Sequence, residues 1–349
     1  MQSKRGKVWA FLGFVLFLYL FIFSIVLIKE SFFEIGKDIF KITQDNLNAI
    51  NGFGVGWLLT LIMQSSGATT SALIALNSVG VIGTRILIYM ILGTRIGTTI
   101  TALFVALLIH AKKRRDFRHG FEIGLTNLVY ALPIAIFMFL FEYFFSFFSK
   151  TGNYFLTLDV PFKLKFIDSI TLPLINFFSF LPKYVLVFLG IIILIVSLRK
   201  IPKFMLDLFG AGNLREKINK YMANKWKSFL IGFLITAVLL STSITLSLLI
   251  PLIVLRLVNL RKVIPYMVGA NLGGVTDAVL GGLAVGKTSL PAIFTYVSFS
   301  IIGLVWLFNI DLLLNITKYI SKRTLRVSKK RAVVFLLFFI LLAILLAFI

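Results

Sequence analysis

A short polar stretch, MQSSGATT at residues 63–70, interrupts an otherwise apolar segment and holds the residues best suited to bind a solute. Serine and threonine hydroxyls donate hydrogen bonds to anion oxygens, and their lone pairs can coordinate a small cation. Where a helix begins at such a stretch, its free N–H groups and its positive end also favour an anion. The alternative is that these hydroxyls only cap or join helices, at about 1 kcal/mol each. The stretch therefore predicts either a small polar binding site or a set of helix-packing contacts.

The composition places these residues in a membrane protein. Apolar residues make up 59% of the 349-residue chain, and apolar runs of about 20 residues recur, which is the length that crosses a bilayer. The net charge of +23 is spread between these runs rather than over one soluble face, which argues against a nucleic-acid partner. The chain has no cysteine, and no acid/base pair or metal cluster has a workable spacing, so we do not expect an enzyme.

The apolar runs predict an all-α polytopic membrane protein with seven full crossings, at 8–28, 84–110, 119–147, 182–198, 263–286, 289–309 and 332–349. Two further apolar segments, about 52–79 and 229–255, have polar centres. Each is too long for one crossing helix and too short for two. Each fits two half-length helices that meet at a polar tip, which is a re-entrant hairpin.

The basic residues predict how the chain lies in the bilayer. If the N-terminus is cytoplasmic and both hairpins return to the side they came from, most of the 36 lysines and arginines fall in cytoplasmic segments. This is the asymmetry expected of short loops in a multi-pass protein. We therefore expect the cell inner (plasma) membrane, with a cytoplasmic N-terminus and an external C-terminus.

The sequence matches itself at a fixed offset of 176 residues, which predicts an internal repeat. The pattern G-x-L-x-T at 56–60 recurs at 232–236, and Ser65 of the first hairpin corresponds to Ser241 of the second. Three crossings separate the hairpins, so the copies would be inverted, as in secondary transporters that hold a solute between two halves. Because the polar tips recur, we favour the binding-site interpretation over the packing one.

The repeat divides the chain into four segments, which are residues 1–147 (first inverted repeat), 148–181 (external connector), 182–310 (second inverted repeat) and 311–349 (basic loop and extra C-terminal transmembrane helix). The extra helix has no counterpart in the repeat, and we expect it to be either peripheral or the contact of a homodimer.

We further predict that each repeat contains a broken transmembrane helix after its hairpin, about 84–110 in the first and 263–286 in the second. Glycine pairs would interrupt these helices, at 93 and 97 and at 269 and 273. The same pairs also fit the G-x-x-x-G motif by which membrane helices pack closely, and that is the alternative interpretation.

Two motifs carry a resemblance to a known family. QSSGATT at 64–70, followed by GTRIGTT at 93–99, resembles the paired signature of the type II sodium/phosphate cotransporter family. Members carry QSSS and then GANIGTT in each of two inverted repeats, and the second copy here is LSTSIT at 240–245 with GANLGGV at 269–275. The resemblance implies sodium-coupled uptake of inorganic phosphate or a similar oxyanion by alternating access.

The resemblance also implies which residues line the site. The expected phosphate ligands, together with the nearby Arg95, are Gln64, Ser65, Ser66, Thr98, Ser241, Thr242, Ser243 and Asn271. The expected sodium ligands are Thr69, Thr99, Thr245 and Asp277. Sodium would be the coupling ion, and the lipid bilayer the surroundings.

The chain departs from the family pattern in ways that leave alternatives open. Leu240 stands for the second glutamine, Arg95 for the first asparagine, and Asp277 for a small polar residue. Charges at membrane depth are costly unless they are paired or hydrated, so both charged residues are functional candidates. Arg95 would either bind the anion or form a fixed salt bridge with Asp277, and Asp277 would serve sodium or a proton. A proton-coupled carrier of another anion, and a membrane adaptor or sensor without transport, are the alternative functions.

Overall fold

The computed structural model describes residues 4–44, 47–63, 65–108, 114–157, 165–178, 180–209, 222, 224–247, 249, 258, 260–325 and 329–349. Its first half contains α1 (Lys4–Gln44), α2 (Ala49–Met63), α3 (Ser66–Ser78), α4 (Thr84–Leu108), α5 (Arg114–Phe145), α6 (Phe147–Thr157), α7 (Lys165–Phe177) and α8 (Lys183–Phe209). Its second half contains α9 (Lys225–Leu239), α10 (Thr242–Ser247), α11 (Leu260–Gly273), α12 (Val275–Val285), α13 (Leu290–Ile302), α14 (Val305–Phe308), α15 (Ile310–Leu325) and α16 (Lys329–Phe348). The described ranges contain no strand, so the all-helical prediction is confirmed.

Five stretches are long and apolar enough to cross a membrane, namely Gly6–Ile28, Gly120–Phe145, Leu260–Val285, Lys287–Phe308 and Lys330–Phe348. They coincide with five of the seven crossings predicted from the sequence. The predicted crossing at 182–198 is a shorter apolar helix, Lys183–Ser197. The remaining one, at 84–110, falls on α4 and two residues that lie outside the described part of the chain.

In each predicted hairpin, one helix is followed by a polar tip and then by a second helix. Helices α2 and α3 have 15 and 13 residues, fewer than the roughly 20 that a crossing needs. Ser65 separates α3 from α2 and caps α3, because its Oγ accepts a hydrogen bond from the Ala68 N–H at 3.2 Å. In the second hairpin, α9 is capped by Leu240, and α10 follows. Apart from residue 249, the rest of that limb lies outside the described residues. Re-entry of either hairpin into a bilayer stays a prediction.

The first predicted helix break is wrong, because α4 is continuous across 93 and 97. Its glycines instead allow α2 to approach closely. A Cβ on Gly93 would collide with the carbonyl oxygen of Phe53, and one on Gly97 would lie 2.7 Å from the Cβ of Thr60. The close-packing interpretation therefore applies to this pair.

The second predicted break is present, but it lies at Gly274, between α11 and α12, rather than at the glycine pair. Gly269 and Gly273 pack instead against α9, where added Cβ atoms would collide with the carbonyl oxygens of Phe229 and Phe233. Both glycine pairs therefore serve helix packing, and only the second repeat has a broken helix.

Several contacts recur at the offset of 176 residues. A Cβ on Gly56 would collide with the carbonyl of Met90. A Cβ on Gly232, the counterpart of Gly56, would collide with the carbonyl of Tyr266, the counterpart of Met90. At both hairpin tips the serine Oγ accepts a hydrogen bond from the N–H three residues later, at 3.2 Å and 3.3 Å. Such recurrence supports the internal repeat, whereas the opposite orientation of the copies in a membrane stays a prediction.

Two apolar clusters form the core, and α4 contributes to both. One joins Ile88, Leu92 and Ile96 to residues of α2, α5, α11 and α16. The other joins Leu87 and Ile91 to residues of α1, α3, α8 and α12. Helix α4 therefore lies where the two clusters meet, and the candidate site is built on it.

The C-terminal helix α16 packs against α2. The Asn51 side-chain amide donates to the carbonyl of Ala347 at 3.4 Å, and a Cβ on Gly54 would collide with the backbone of Leu346 and Ala347. This contact explains how the helix without a repeat counterpart is held, while a homodimer stays a prediction.

We expect Gly54→Ala to destabilise the detergent-solubilised protein by about 1–3 kcal/mol, because an extra methyl in a close helix contact forces the helices apart. Thermal unfolding followed by circular dichroism would measure the change. The control is Leu230→Ala, at the equivalent position of α9, where the side chain is 52% exposed and little change is expected. Equal destabilisation by both substitutions would contradict the assignment of this contact to Gly54.

Candidate functional site

Arg95 lies in the middle of α4 and is only 3% exposed. Its guanidinium donates to the side-chain oxygen of Asn271 at 3.1 Å and to the Asn271 carbonyl at 3.5 Å. The guanidinium carbon is 4.4 Å from the ring centre of Tyr296 and 4.7 Å from that of Phe299. Tyr296 and Phe299 belong to different core clusters, so Arg95 lies at the boundary between the two clusters.

The groups that hold Arg95 are neutral. Among the described residues, no carboxylate oxygen lies within 4.0 Å of the guanidinium. The fixed Arg95–Asp277 salt bridge considered from the sequence is therefore not formed, although the two charges are close enough to interact. An arginine stays protonated in proteins, so this is a buried positive charge without a paired carboxylate.

Asn271 is oriented by its own hydrogen bonds. Its amide nitrogen donates to the Asn127 side-chain oxygen at 3.0 Å and to the Met267 carbonyl at 3.0 Å, so its amide oxygen is left for Arg95. The break at Gly274 lies three residues later, near the end of α11, where carbonyl groups lose their partners within the helix. Ser300 and Arg95 donate to the Asn271 carbonyl in their place.

Asp277 is another buried ionisable residue in this region, also 3% exposed, and it lies in the first turn of α12. Among the described residues, its Oδ1 has no hydrogen-bond partner. Its Oδ2 faces the first hairpin, because a Cβ on Gly67 would collide with that atom. The carboxylate therefore lies beside the N-terminus of α3, and its unpartnered oxygen can accept a cation or a proton.

The first hairpin tip reaches this region through Ser66, whose Oγ lies 3.3 Å from the Tyr296 hydroxyl that donates to it. Ser65 caps α3, and the Thr69 hydroxyl donates to the Ser65 carbonyl at 2.9 Å. The hydroxyls of Thr70 and Ser71 are buried in α3 and have no hydrogen-bond partner within the part of the chain that the structure describes. Gln64 lies outside the described residues.

The second hairpin tip reaches the same region from the other side. The Thr242 hydroxyl donates to the carbonyl of Ala270, next to Asn271, at 3.4 Å. Ser241 accepts from the Ile244 N–H, and the buried Thr245 donates to the Ser241 carbonyl at 2.9 Å. Ser243 is half-buried.

Thr98 and Thr99 of α4 are buried, and their hydroxyls donate to carbonyls of their own helix, at 2.9 Å and 2.7 Å. Only their lone pairs are then left for a ligand, which suits a cation better than an anion. For Thr98, this geometry does not support the expected role as an anion donor.

The structure thus brings together five of the residues expected to form the site, namely Ser66, Arg95, Thr242, Asn271 and Asp277. Sequence reasoning missed Tyr296, which links Ser66 to Arg95, and Asn127, which orients Asn271. A signal was available for the first, because Tyr296 and Ser300 are four residues apart and share one face of an apolar helix. For Asn127, the signal was an amide within the apolar span 119–147.

Comparison with known proteins supports the motif assignment. The family described as Na+/Pi-cotransporter matches residues 20–165 and 193–311. Sodium-dependent phosphate transport protein 2A of Rattus norvegicus is 37% identical over 123 residues, which is 34% of this chain and 19% of the relative. Sodium-dependent phosphate transport protein 2B of Homo sapiens is 32% identical over 120 residues, which is 33% of this chain and 17% of the relative.

A bacterial relative matches over a longer range. The uncharacterized protein YqeW of Bacillus subtilis (strain 168) is 24% identical over 278 residues, which is 79% of this chain and 73% of the relative. In contrast, the chain spans about a fifth of the length of the rat relative it matches. No solved structure matches this chain. Because the family match extends over more than half of the residues, the resemblance drawn from the two motifs is confirmed, and the chain belongs to the Na+/Pi-cotransporter family.

Proposed function

We propose that this protein is a sodium-coupled secondary transporter that imports inorganic phosphate or a similar oxyanion. The observation that carries the proposal is the buried Arg95 guanidinium, which neutral groups hold between the two hairpin tips. A buried charge without a carboxylate at ion-pair distance is costly, and an oxyanion bound beside it would supply a directly paired counter-charge. The relatives named for sodium-dependent phosphate transport support the choice of ions.

The anion would bind among hydroxyl donors next to this guanidinium. Ser66 accepts a hydrogen bond from Tyr296, whose ring lies against the guanidinium, so its own proton is left for the anion. Thr242 donates to the carbonyl of Ala270, next to Asn271, and would exchange that bond for one to the anion. Planar guanidinium groups and hydroxyl groups together suit the oxygens of a tetrahedral oxyanion. The other proposed anion ligands are Gln64, Ser65, Ser241 and Ser243, whereas Asn271 positions the guanidinium.

The cation would bind at Asp277, whose Oδ1 has no partner in the described ranges although the residue is buried. Sodium prefers oxygen ligands, and the unpartnered hydroxyls of Thr70 and Ser71 lie on the helix that contacts this carboxylate. Thr69, Thr99 and Thr245 are the further sodium ligands in this proposal. Two inverted repeats, residues 1–147 and 182–310, would alternate access to the site in the plasma membrane, with the N-terminus cytoplasmic and the C-terminus external.

A second candidate is favoured by the same carboxylate. A buried aspartate with a free oxygen can also carry a proton, so the protein would then be a proton-coupled anion transporter. The two candidates differ in the ion gradient that drives uptake, and one assay separates them.

We expect the reconstituted protein to accumulate labelled phosphate in liposomes when an inward sodium gradient is the only driving force. Ser66→Ala should raise the phosphate concentration for half-maximal uptake about two- to tenfold, since a neutral hydrogen bond contributes about 0.5–1.5 kcal/mol. Ser78→Ala is the matched control on α3, because Ser78 donates only to its own helix at Ala75.

Uptake driven by a proton gradient alone would favour the second candidate. Absence of phosphate, sulfate and arsenate flux under every gradient, with monodisperse folded protein, would contradict transport and favour the membrane adaptor.

A further inference from the structure

We propose that the Arg95 guanidinium is a built-in cation that takes the place of one co-transported sodium ion. This inference rests on the proposed sodium-coupled transport and adds a statement about its ion count. It predicts that removal of the guanidinium converts its position into an additional site for a free cation.

The surroundings of the guanidinium are those of a cation site. Asn271 offers two oxygens to it, one from the side chain and one from the backbone near the end of α11. The C-terminal end of a helix carries a partial negative charge, and in transporters the ends of half-helices hold coupling cations. Tyr296 and Phe299 add two ring faces, whose negative quadrupoles attract a cation.

The contact between Arg95 and Asn271 joins equivalent positions of the two repeat copies. Residues 95 and 271 are counterparts at the offset of 176, and they contact each other directly. The first copy presents a cationic side chain at this point, and the second presents an amide oxygen. Arg95 therefore bridges the two copies at the place where an uncharged residue would leave the Asn271 oxygens open to an ion.

A tethered cation differs from a dissolved one in two ways. It is always present, because arginine does not lose its proton, and its local concentration does not depend on the sodium gradient. The positive charge beside the anion would then be supplied by the protein in both directions of the cycle. Fewer sodium ions would enter with each phosphate than if this position held a free ion.

The test compares wild type with Arg95→Ala in liposomes, with uptake measured against sodium concentration and transported charge measured by membrane currents. We expect Arg95→Ala to show a steeper sodium dependence, with about one additional sodium ion and one additional positive charge per phosphate. Millimolar guanidinium in the assay should partly restore uptake by Arg95→Ala and reduce the added sodium requirement. Arg95→Lys, which keeps the charge, should retain the wild-type steepness.

Two further variants control for folding and for a general loss of charge. Asn271→Asp adds a carboxylate but leaves the guanidinium in its position, so no free-cation site opens and we expect it to retain the wild-type steepness. Arg261→Ala removes an arginine from an exposed ion pair with Asp311 and should leave the sodium dependence unchanged.

Different results would contradict the proposed function and the built-in cation. If wild type shows no sodium-driven phosphate uptake, the proposed function fails. If wild type transports phosphate but Arg95→Ala changes neither the steepness nor the charge per phosphate, the built-in cation is overturned while the function stands. Lower phosphate affinity at unchanged steepness, without rescue by guanidinium, would make Arg95 an anion ligand only.

Discussion

Replacing Asp277 with asparagine is expected to raise the sodium concentration for half-maximal phosphate uptake by about tenfold or more. A hydrogen bond or ion contact to a charged group is worth about 1.5–3 kcal/mol, and each 1.4 kcal/mol corresponds to about a factor of ten in affinity. Asparagine keeps the shape of the side chain but removes the negative charge that would hold the cation. Sodium titration of phosphate uptake in liposomes measures the change.

The same substitution should not destabilise the fold. Asp277 is buried, and its Oδ1 has no partner among the residues that the structure describes, so loss of the charge removes a desolvation cost. We therefore expect Asp277→Asn to unfold at the same temperature as wild type or at a higher one. Loss of coupling with retained stability is the combination expected of a functional residue rather than a structural one.

Gly67→Ala provides an independent approach to the same carboxylate. The added methyl would collide with the Oδ2 of Asp277 and displace it without removing its charge. An unchanged sodium dependence in both variants, with proton-driven uptake also unchanged, would contradict any coupling role for Asp277. A loss of proton-driven but not sodium-driven uptake would assign the residue to the second candidate function.

The positions of the long helices could be predicted from the sequence, because long apolar runs indicate membrane-length helices. Runs such as 119–147 and 332–349 are long and apolar, and both are found as membrane-length helices. The hairpin tip at Ser65 could also be predicted, since a polar interruption in an apolar segment of that length leaves few other conformations.

The outcome at the glycines could not be predicted, because it depends on the neighbouring helix. Gly93 and Gly269 occur in similar polar motifs, and a glycine can either break a helix or allow close packing. The carbonyls of Phe53 and Phe229, each packed against one of these glycines, decide for packing in both cases. Sequence spacing does not report how closely two helices approach.

The partner of Arg95 could not be predicted for a related reason. Opposite charges at similar depth suggested a salt bridge with Asp277, but the side chain of Arg95 reaches its own repeat counterpart, Asn271, instead. Asn127 of α5 and Tyr296 of α13 decide this arrangement from two other helices, and sequence spacing does not show that they meet Asn271 and Arg95. Contacts between distant helices require the folded structure.

The largest losses of folding stability are expected at the glycines where the first helix of each hairpin packs against the helix that follows the hairpin. In both repeats, an alanine methyl at Gly93 or Gly269 would collide with a backbone carbonyl, which cannot rotate away as a side chain can. Van der Waals packing is the main force that holds membrane helices together, so separating α2 from α4, or α9 from α11, removes that contact. We expect either Gly93→Ala or Gly269→Ala to cost about 3 kcal/mol, the upper part of the range for overpacking, and to lower the yield of folded protein.

Thermal unfolding in detergent and size-exclusion profiles would measure these effects, with Gly83→Ala as the matched control, because no atom lies within 4 Å of a Cβ built there. The two sites occupy different hairpin–helix units and share no contact partner, so their effects should be additive within about 0.5 kcal/mol in the double variant. Similar losses of stability at the two glycines would show that the equivalent helix contacts in the two copies contribute equally to stability. A large cost at one and none at the other would contradict the equivalence of the two packing contacts, and with it the repeat on which the two-sided site is built.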